Sequence, residues 1–214
     1  MTVALKFVHS VHRGAKVYYN LLTQSSNLPN CCAKWSEKYE DEIIWKTVFL
    51  KIHKIGQVKL KWLQMRIVHR ILATNVVLEK MKIAANAKCT FCSVHNDSIQ
   101  HMFWECERIR CFWNRVESLL KEKCQVAVDV RFTEKLVLFG YENNVQMDTV
   151  FDFILLAAKS FIYRCKMNKC IPYVSAFRKQ LNSMYKVEEL SAKMNFEIQK
   201  FQRNWCFYTP FLED

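Results

Sequence analysis

The stretch CTFCSVHNDSIQHMFWEC, residues 89–106, decides how the rest of the chain is read. It spells C-x2-C-x8-H-x4-C. Zinc takes four tetrahedral ligands drawn from thiolate and imidazole. A C-x2-C pair aims two sulfurs inward from a tight turn, and a second pair can close the shell from the start of the next helix. The candidate ligands are Cys89, Cys92, His101 and Cys106, with His95 and Cys111 as the substitutes to consider first. Three thiolates and a neutral imidazole leave the loaded site with one net negative charge, which Lys88, Arg108 and Arg110 can offset. Four protein ligands leave no open position, so a structural ion is expected rather than a catalytic one. Such an ion would contribute directly to folding of residues 85–110, by about 10 kcal/mol of apparent binding free energy. The competing readings of these thiols are buried structural cysteines and a redox pair at Cys89–Cys92. His101 and Cys106 are separated by roughly 500° on an ideal helix. The backbone must therefore bend before Cys106.

Working outward, residues 58–72 (VKLKWLQMRIVHRIL) are the best helix candidate. Leu60, Leu63, Ile67 and Ile71 share one face, and Met65, Val68 and Leu72 widen it. Lys59, Arg66 and Arg70 fall within about 40° of one another at the helical period. His69 lies on the buried side and reads as a core histidine. Thr74 is placed to cap a short helix through Met81. Upstream, residues 40–55 read as a helix with Ile43, Ile44, Val48, Leu50 and Ile52 apolar, ended by Gly56. Residues 3–24 read as a weakly amphipathic helix, and residues 25–33 as a loop. Downstream, Asp97–Gln100 has the form of a capping box before a helix from about Ser98 to Lys121. Residues 126–131 alternate like a short strand, and residues 133–139 form a helical turn stopped by Gly140. Residues 148–168 form a hydrophobic helix. Pro172 begins another, with Phe177, Leu181, Met184, Val187, Leu190, Met194, Ile198, Phe201 and Trp205 near helical spacing.

Three glycines and three prolines in 214 residues argue against a turn-rich sheet protein. The expected fold is mainly α: an irregular helical domain with a CCHC-type zinc knuckle and a C-terminal helical tail. Ten cysteines are too few for a disulfide scaffold in a chain of this length. No signal peptide is recognised. The most apolar run, Val150–Tyr163, is short and contains Asp152 and Lys159, so no membrane span is expected. The expectation is an intracellular protein, nuclear or cytoplasmic and not secreted.

Charge is distributed unevenly. The net charge is +12, and residues 46–88 hold ten Lys or Arg against the single acid Glu79. Residues 157–205 hold ten more against three acids. Two basic blocks point to a polyanionic partner. The bland alternative is a basic surface that only confers solubility.

The runs LKWLQMRIVHRILATNVVLEKMKIA, CTFCSVHNDSIQHMFWEC and the following CFW carry a resemblance. Together they resemble the zinc-binding region of non-LTR (LINE-type) retrotransposon reverse transcriptases. That family places a W/F-x-Q/R-x-R-I-x-x-R-I-L-x-T-N-like helix, a basic spacer, paired cysteines and an H-L-F-W-x-C-like closure in this order. Similarity is weaker through KWSEKYEDEIIWKTVFLKIHKI upstream, and through LVLFG and FILLAAKSFIYRCKMNKCIP downstream. The resemblance implies Zn2+ on Cys89, Cys92, His101 and Cys106, and a role in gripping template RNA or target DNA. It also implies three parts: an N-terminal helical segment (1–57), a reverse-transcriptase-type zinc-binding domain (58–122) and a C-terminal helical tail (123–214). Glu107 departs from the proline that many members place after the last cysteine. The Tyr/Phe-Ala-Asp-Asp polymerase motif and an endonuclease constellation are not found, so neither activity carries over and no enzyme is expected.

Lys54, Lys59, Lys61, Arg66, Arg70, Lys82 and Lys88 are the candidate phosphate contacts. Trp104 and Phe91 are candidate stacking surfaces, though both suit a core better. The sequence contains no base-reading code, so RNA or DNA would be held mostly through its backbone in a salt-sensitive way. No small-molecule substrate is expected. The rivals are a protein-interaction module built on helix 173–207, a thiol enzyme using Cys89 and Cys92, and a retrotransposon remnant without function.

Overall fold

A computed structural model describes residues 29–39, 43–124, 131–140 and 148–213. The expected helix over 3–24 lies outside these residues, as does the alternating stretch 126–131 except for Arg131. The chain divides into two compact units, residues 1–45 and 46–214.

In the first unit, helix α1 (Asn30–Ser36) starts directly after Pro29. The fixed φ of proline, here −49° at the N-cap, prepares the chain for a helical turn. This overturns the expected loop for residues 30–33. Cys31, Cys32 and Trp35 are buried on one side of α1. The Trp45 indole donates to Ser36 Oγ at 3.3 Å.

Beyond it the chain forms α2 (Trp45–Lys54), α3 (Val58–Val68), α4 (Asn75–Lys80), a π-helical turn (His101–Glu105), α5 (Glu107–Lys123) and α6 (Glu134–Phe139). Then follow α7 (Thr149–Met167), α8 (Val174–Met194), α9 (Ile198–Trp205) and α10 (Thr209–Leu212). Among the described residues every regular element is helical, and β-type pairing is confined to one bridge between Lys88 and Asn96. The expected mainly α class is what the structure shows.

Helix α7 is the axis of the second unit. Asp148 caps it, accepting from the Phe151 amide at 2.8 Å. Ile154, Leu155, Ala157, Ala158 and Ile162 are buried along it, and α3, α8 and α9 pack against it. Phe112 of α5 sits 6.0 Å from Phe161 and 5.7 Å from Phe177 (ring centroids). Phe211 of α10 lies 6.4 Å from Phe177. Aromatic side chains from four helices thus meet at one point, burying large apolar areas in offset and edge contacts. Gly140 closes α6 at φ +65°, the left-handed stop that the sequence indicated.

Two helices end earlier than their apolar pattern implies. α3 stops at Val68, because Arg70 turns left-handed at φ +58°. The amide of Ile71 then reaches back to Arg66 O and that of Arg70 to Ile67 O, a paired stop that satisfies the last carbonyls. Ile71 is consequently 66% exposed rather than on the buried face, and Arg70 leaves the stripe of Lys59 and Arg66. The same device at Phe196 (φ +58°) ends α8. Chain reversal there folds α9 back, so Tyr185 meets Phe201 at 5.2 Å and Trp205 at 5.0 Å. Val187, Leu190 and Met194, part of the apolar set near helical spacing, are exposed.

Candidate metal centre

The metal-ligand motif starts from a loop held by main-chain rungs and by side-chain bonds to its carbonyls, from Asn75 Nδ2 to Lys88 O and from Lys88 Nζ to Val94 O. The Cys89 amide donates to His95 O at 2.8 Å, and the Asp97 amide to Ala87 O at 2.7 Å. Between these rungs the chain reverses, with Ser93 left-handed at φ +59° and its amide donating to Cys89 O at 2.9 Å. The Phe91 amide points at Cys89 Sγ, 3.4 Å away, a contact that favours the thiolate. This is the tight turn the C-x2-C spacing called for.

The second half is where a regular helix would have failed. Ser98 Oγ accepts from the His101 amide at 3.0 Å, starting a helical turn one residue later than the Asp97–Gln100 capping box implied, because the Asp97 carboxylate bonds the Asn75 amide instead. The turn then widens. Residues His101–Glu105 are π-helical, with the Cys106 amide bonded to His101 O at 3.0 Å. An i→i+5 bond adds a residue to the turn, so two side chains five apart come to the same side. Cys106 itself is extended (φ −61°, ψ 127°) and serves as the N-cap of α5. The continuous helix expected from Ser98 to Lys121 is therefore broken at Cys106, and this break is what brings the last sulfur inward.

One donor atom from each of Cys89, Cys92, His101 and Cys106 lies within 4.8 Å of every other. Cys89 Sγ and Cys106 Sγ are 3.9 Å apart; Cys92 Sγ and His101 Nε2 are 3.3 Å apart. A tetrahedral zinc with sulfurs at about 2.3 Å needs sulfur–sulfur edges of roughly 3.8 Å. The donor set and its size fit that ion. Burial holds the His101 imidazole below its ordinary range, keeping it neutral, as a ligand must be. The hydrogen bond between Cys89 and Cys106 pushes Cys89 up and draws Cys106 down; a bound zinc would take the place of the thiol proton on each sulfur. His95 and Cys111 are not in the cluster. The His95 ring lies 5.4 Å from that of His101, and Cys111 is exposed on α5.

Asp97 ties the loop to the helices around it. Its side chain is fully buried and its Oδ2 accepts from the Asn75 amide at 2.8 Å. Thr74 occupies the N-cap position of α4 without a side-chain cap bond; the carboxylate of Asp97 supplies that bond instead. From the other side Lys166, in the last turn of α7, brings Nζ to 3.6 Å from Asp97 Oδ2 and to 3.2 Å from Ala73 O. Burial raises the Asp97 carboxyl, opposed by the Asn75 amide and Lys166. Sequence reasoning missed this pair. Lys166 reads there as an ordinary basic residue near a helix C-terminus, 69 positions from its partner.

The basic candidates have different surroundings. Lys54, Lys59, Arg66 and Lys82 are exposed. Lys61 Nζ donates to His53 O at 3.0 Å, near the end of α2. Lys88 Nζ donates to Val94 O at 2.7 Å, within the knuckle. Arg70 is exposed at the left-handed stop of α3. Of the proposed stacking residues, Phe91 is buried, and Trp104 is covered on one face by the Arg110 guanidinium at 4.4 Å. His69 is half-buried, its ring 6.0 Å from Phe49.

Residues 15–113 match the protein family described as zinc-binding in reverse transcriptase. The matched segment contains all four clustered donors. No curated protein matches the chain significantly.

Proposed function

We propose that this chain is a non-catalytic, zinc-stabilised nucleic-acid-binding module of the kind found in LINE-type reverse transcriptases. The observation that carries it is the convergence of three sulfurs and one imidazole nitrogen in a segment matching a zinc-binding family. A closed set of four ligands fits a structural ion and leaves no position for a substrate or an activated water. The nucleic-acid part is supported by charge. No Asp or Glu occurs from residue 43 to residue 78, and Lys54, Lys59 and Arg66 project from that stretch into solvent.

Metal analysis of purified protein should give one zinc per chain. Binding to RNA and DNA should weaken steeply with salt, and joint replacement of Lys54, Lys59 and Arg66 by Ala should lower the log–log slope by about 1 for each phosphate no longer neutralised. Zinc-loaded protein whose affinity ignores salt would point to the other reading, in which the apolar tip of the α8–α9 hairpin, with Met194 and Phe196 exposed, docks a protein.

A further inference from the structure

Helix α3 presents two opposite faces. Leu60, Leu63, Gln64, Ile67 and Val68 are buried. Directly opposite, Trp62 is 60% exposed. At the helical period, Lys59 and Arg66 lie about 60° and 40° from Trp62, on the same flank and one on each side of it along the axis. The two cations are separated by roughly 10 Å of helix rise. Val58, also exposed, lies on the other flank and widens the apolar surface. Two acids of the same unit are engaged elsewhere: Glu188 accepts from Gln57 Nε2 at 2.6 Å, and Asp152 accepts from Lys51 at 2.9 Å.

We propose that this outward face of α3 is a platform for an unpaired nucleobase, with Trp62 as the stacking surface and Lys59 and Arg66 as contacts to the flanking phosphates. This deepens the nucleic-acid reading above and rests on it. A ring system set between two cations matches a ligand that alternates flat aromatic groups with negative charge. An acidic peptide would satisfy the cations but leave the indole uncovered. A duplex would also satisfy the cations, yet its bases are stacked on one another and offer only edges. Single strands and unpaired ends expose the base faces that an indole can cover.

The test compares Trp62→Ala, Trp62→Phe and the unchanged protein, all zinc-loaded, on labelled oligo(dT), oligo(U) and a dA·dT duplex at one salt concentration. Trp62 is exposed, so far-UV circular dichroism and zinc content should not change. Trp62→Ala should weaken single-strand binding by on the order of ten-fold, leave duplex binding unchanged and leave the salt slope unchanged. Trp62→Phe should retain most of the affinity. Equal loss on single strand and duplex, or no loss on either, overturns the platform. So does a polyglutamate competitor whose binding shows the same dependence on Trp62, which would assign the face to an acidic protein. If the unchanged protein binds no nucleic acid at all, the underlying functional reading fails and the platform falls with it.

Discussion

The knuckle loop, residues 85–106, and helix α7 sit in the same compact unit but are held by opposite means. α7 is buried along most of its length and packs through aromatic and aliphatic side chains against α3 and α8. Up to Ser98 the loop buries one large apolar side chain, Phe91; Ile99, Met102 and Phe103 are buried only in the helical turn that follows. The loop is held by main-chain rungs, by four donor atoms that would otherwise repel, and by Asp97. Hydrophobic packing of α7 draws on area removed from water, which many neighbours supply jointly. With the proposed zinc bound, the loop's order would depend on one ion, and each ligand would be needed in full. One region should therefore yield gradually to mutation, the other all at once.

The largest expected effect follows from removing the metal. Strong chelation, or His101→Ala, should remove a contribution on the order of 10 kcal/mol in apparent binding. Hydrogen exchange should then show amides of residues 87–106 losing protection while those of α7 and α8 keep theirs. Loss of protection throughout at the same chelator concentration would erase the distinction between the regions.

Phe177→Ala should act in the opposite place. Its ring is fully buried among Phe112, Phe161 and Phe211, and such truncations cost about 3–5 kcal/mol. Denaturant unfolding should show that loss, with zinc stoichiometry unchanged under native conditions. A variant that loses zinc in proportion to stability would show the two regions to be a single cooperative unit.

Lys166→Met probes the link itself. It removes the cation from the buried Asp97 carboxylate, one of whose oxygens, Oδ1, has no hydrogen-bond partner among the described residues. Because burial already raises that carboxyl, protonation can limit the cost to about 2 kcal/mol. The cost should be largest near neutral pH and shrink as the solution is acidified toward the raised carboxyl value, since a neutral Asp97 no longer needs its cation. Measured stability differences between the two proteins from pH 7 down to pH 4 check the sign. A constant difference would mean that Lys166 matters only through packing and its bond to Ala73.

The smallest expected effect lies at Gly140. Its φ of +65° is strained for any other residue, while an added Cβ would meet only Asp152 Oδ1 at an ordinary 3.6 Å. Gly140→Ala should cost about 1 kcal/mol, readable as a small shift in thermal midpoint with zinc content unaffected. A much larger loss would show the α6 stop to be coupled to the buried Lys159 beyond it.

Much of this was legible from residue order because its causes are local. C-x2-C spacing, the helical turn over 133–139, the stop at Gly140 and the period of α7 are each set by neighbours within a turn or two. The need for a bend between His101 and Cys106 was also readable, since a helix has a fixed angle per residue. What the chain order could not supply were the outcomes of competition between distant groups. A π turn rather than a loop, a left-handed Arg70 that throws Ile71 into solvent, Asp97 capping α4 in place of Thr74, and a lysine from α7 facing it all depend on which surfaces meet. Local torsional preference and ligand spacing are properties of the sequence. Burial, and the partner that each buried charge finds, exist only once segments remote in sequence exclude water from one another.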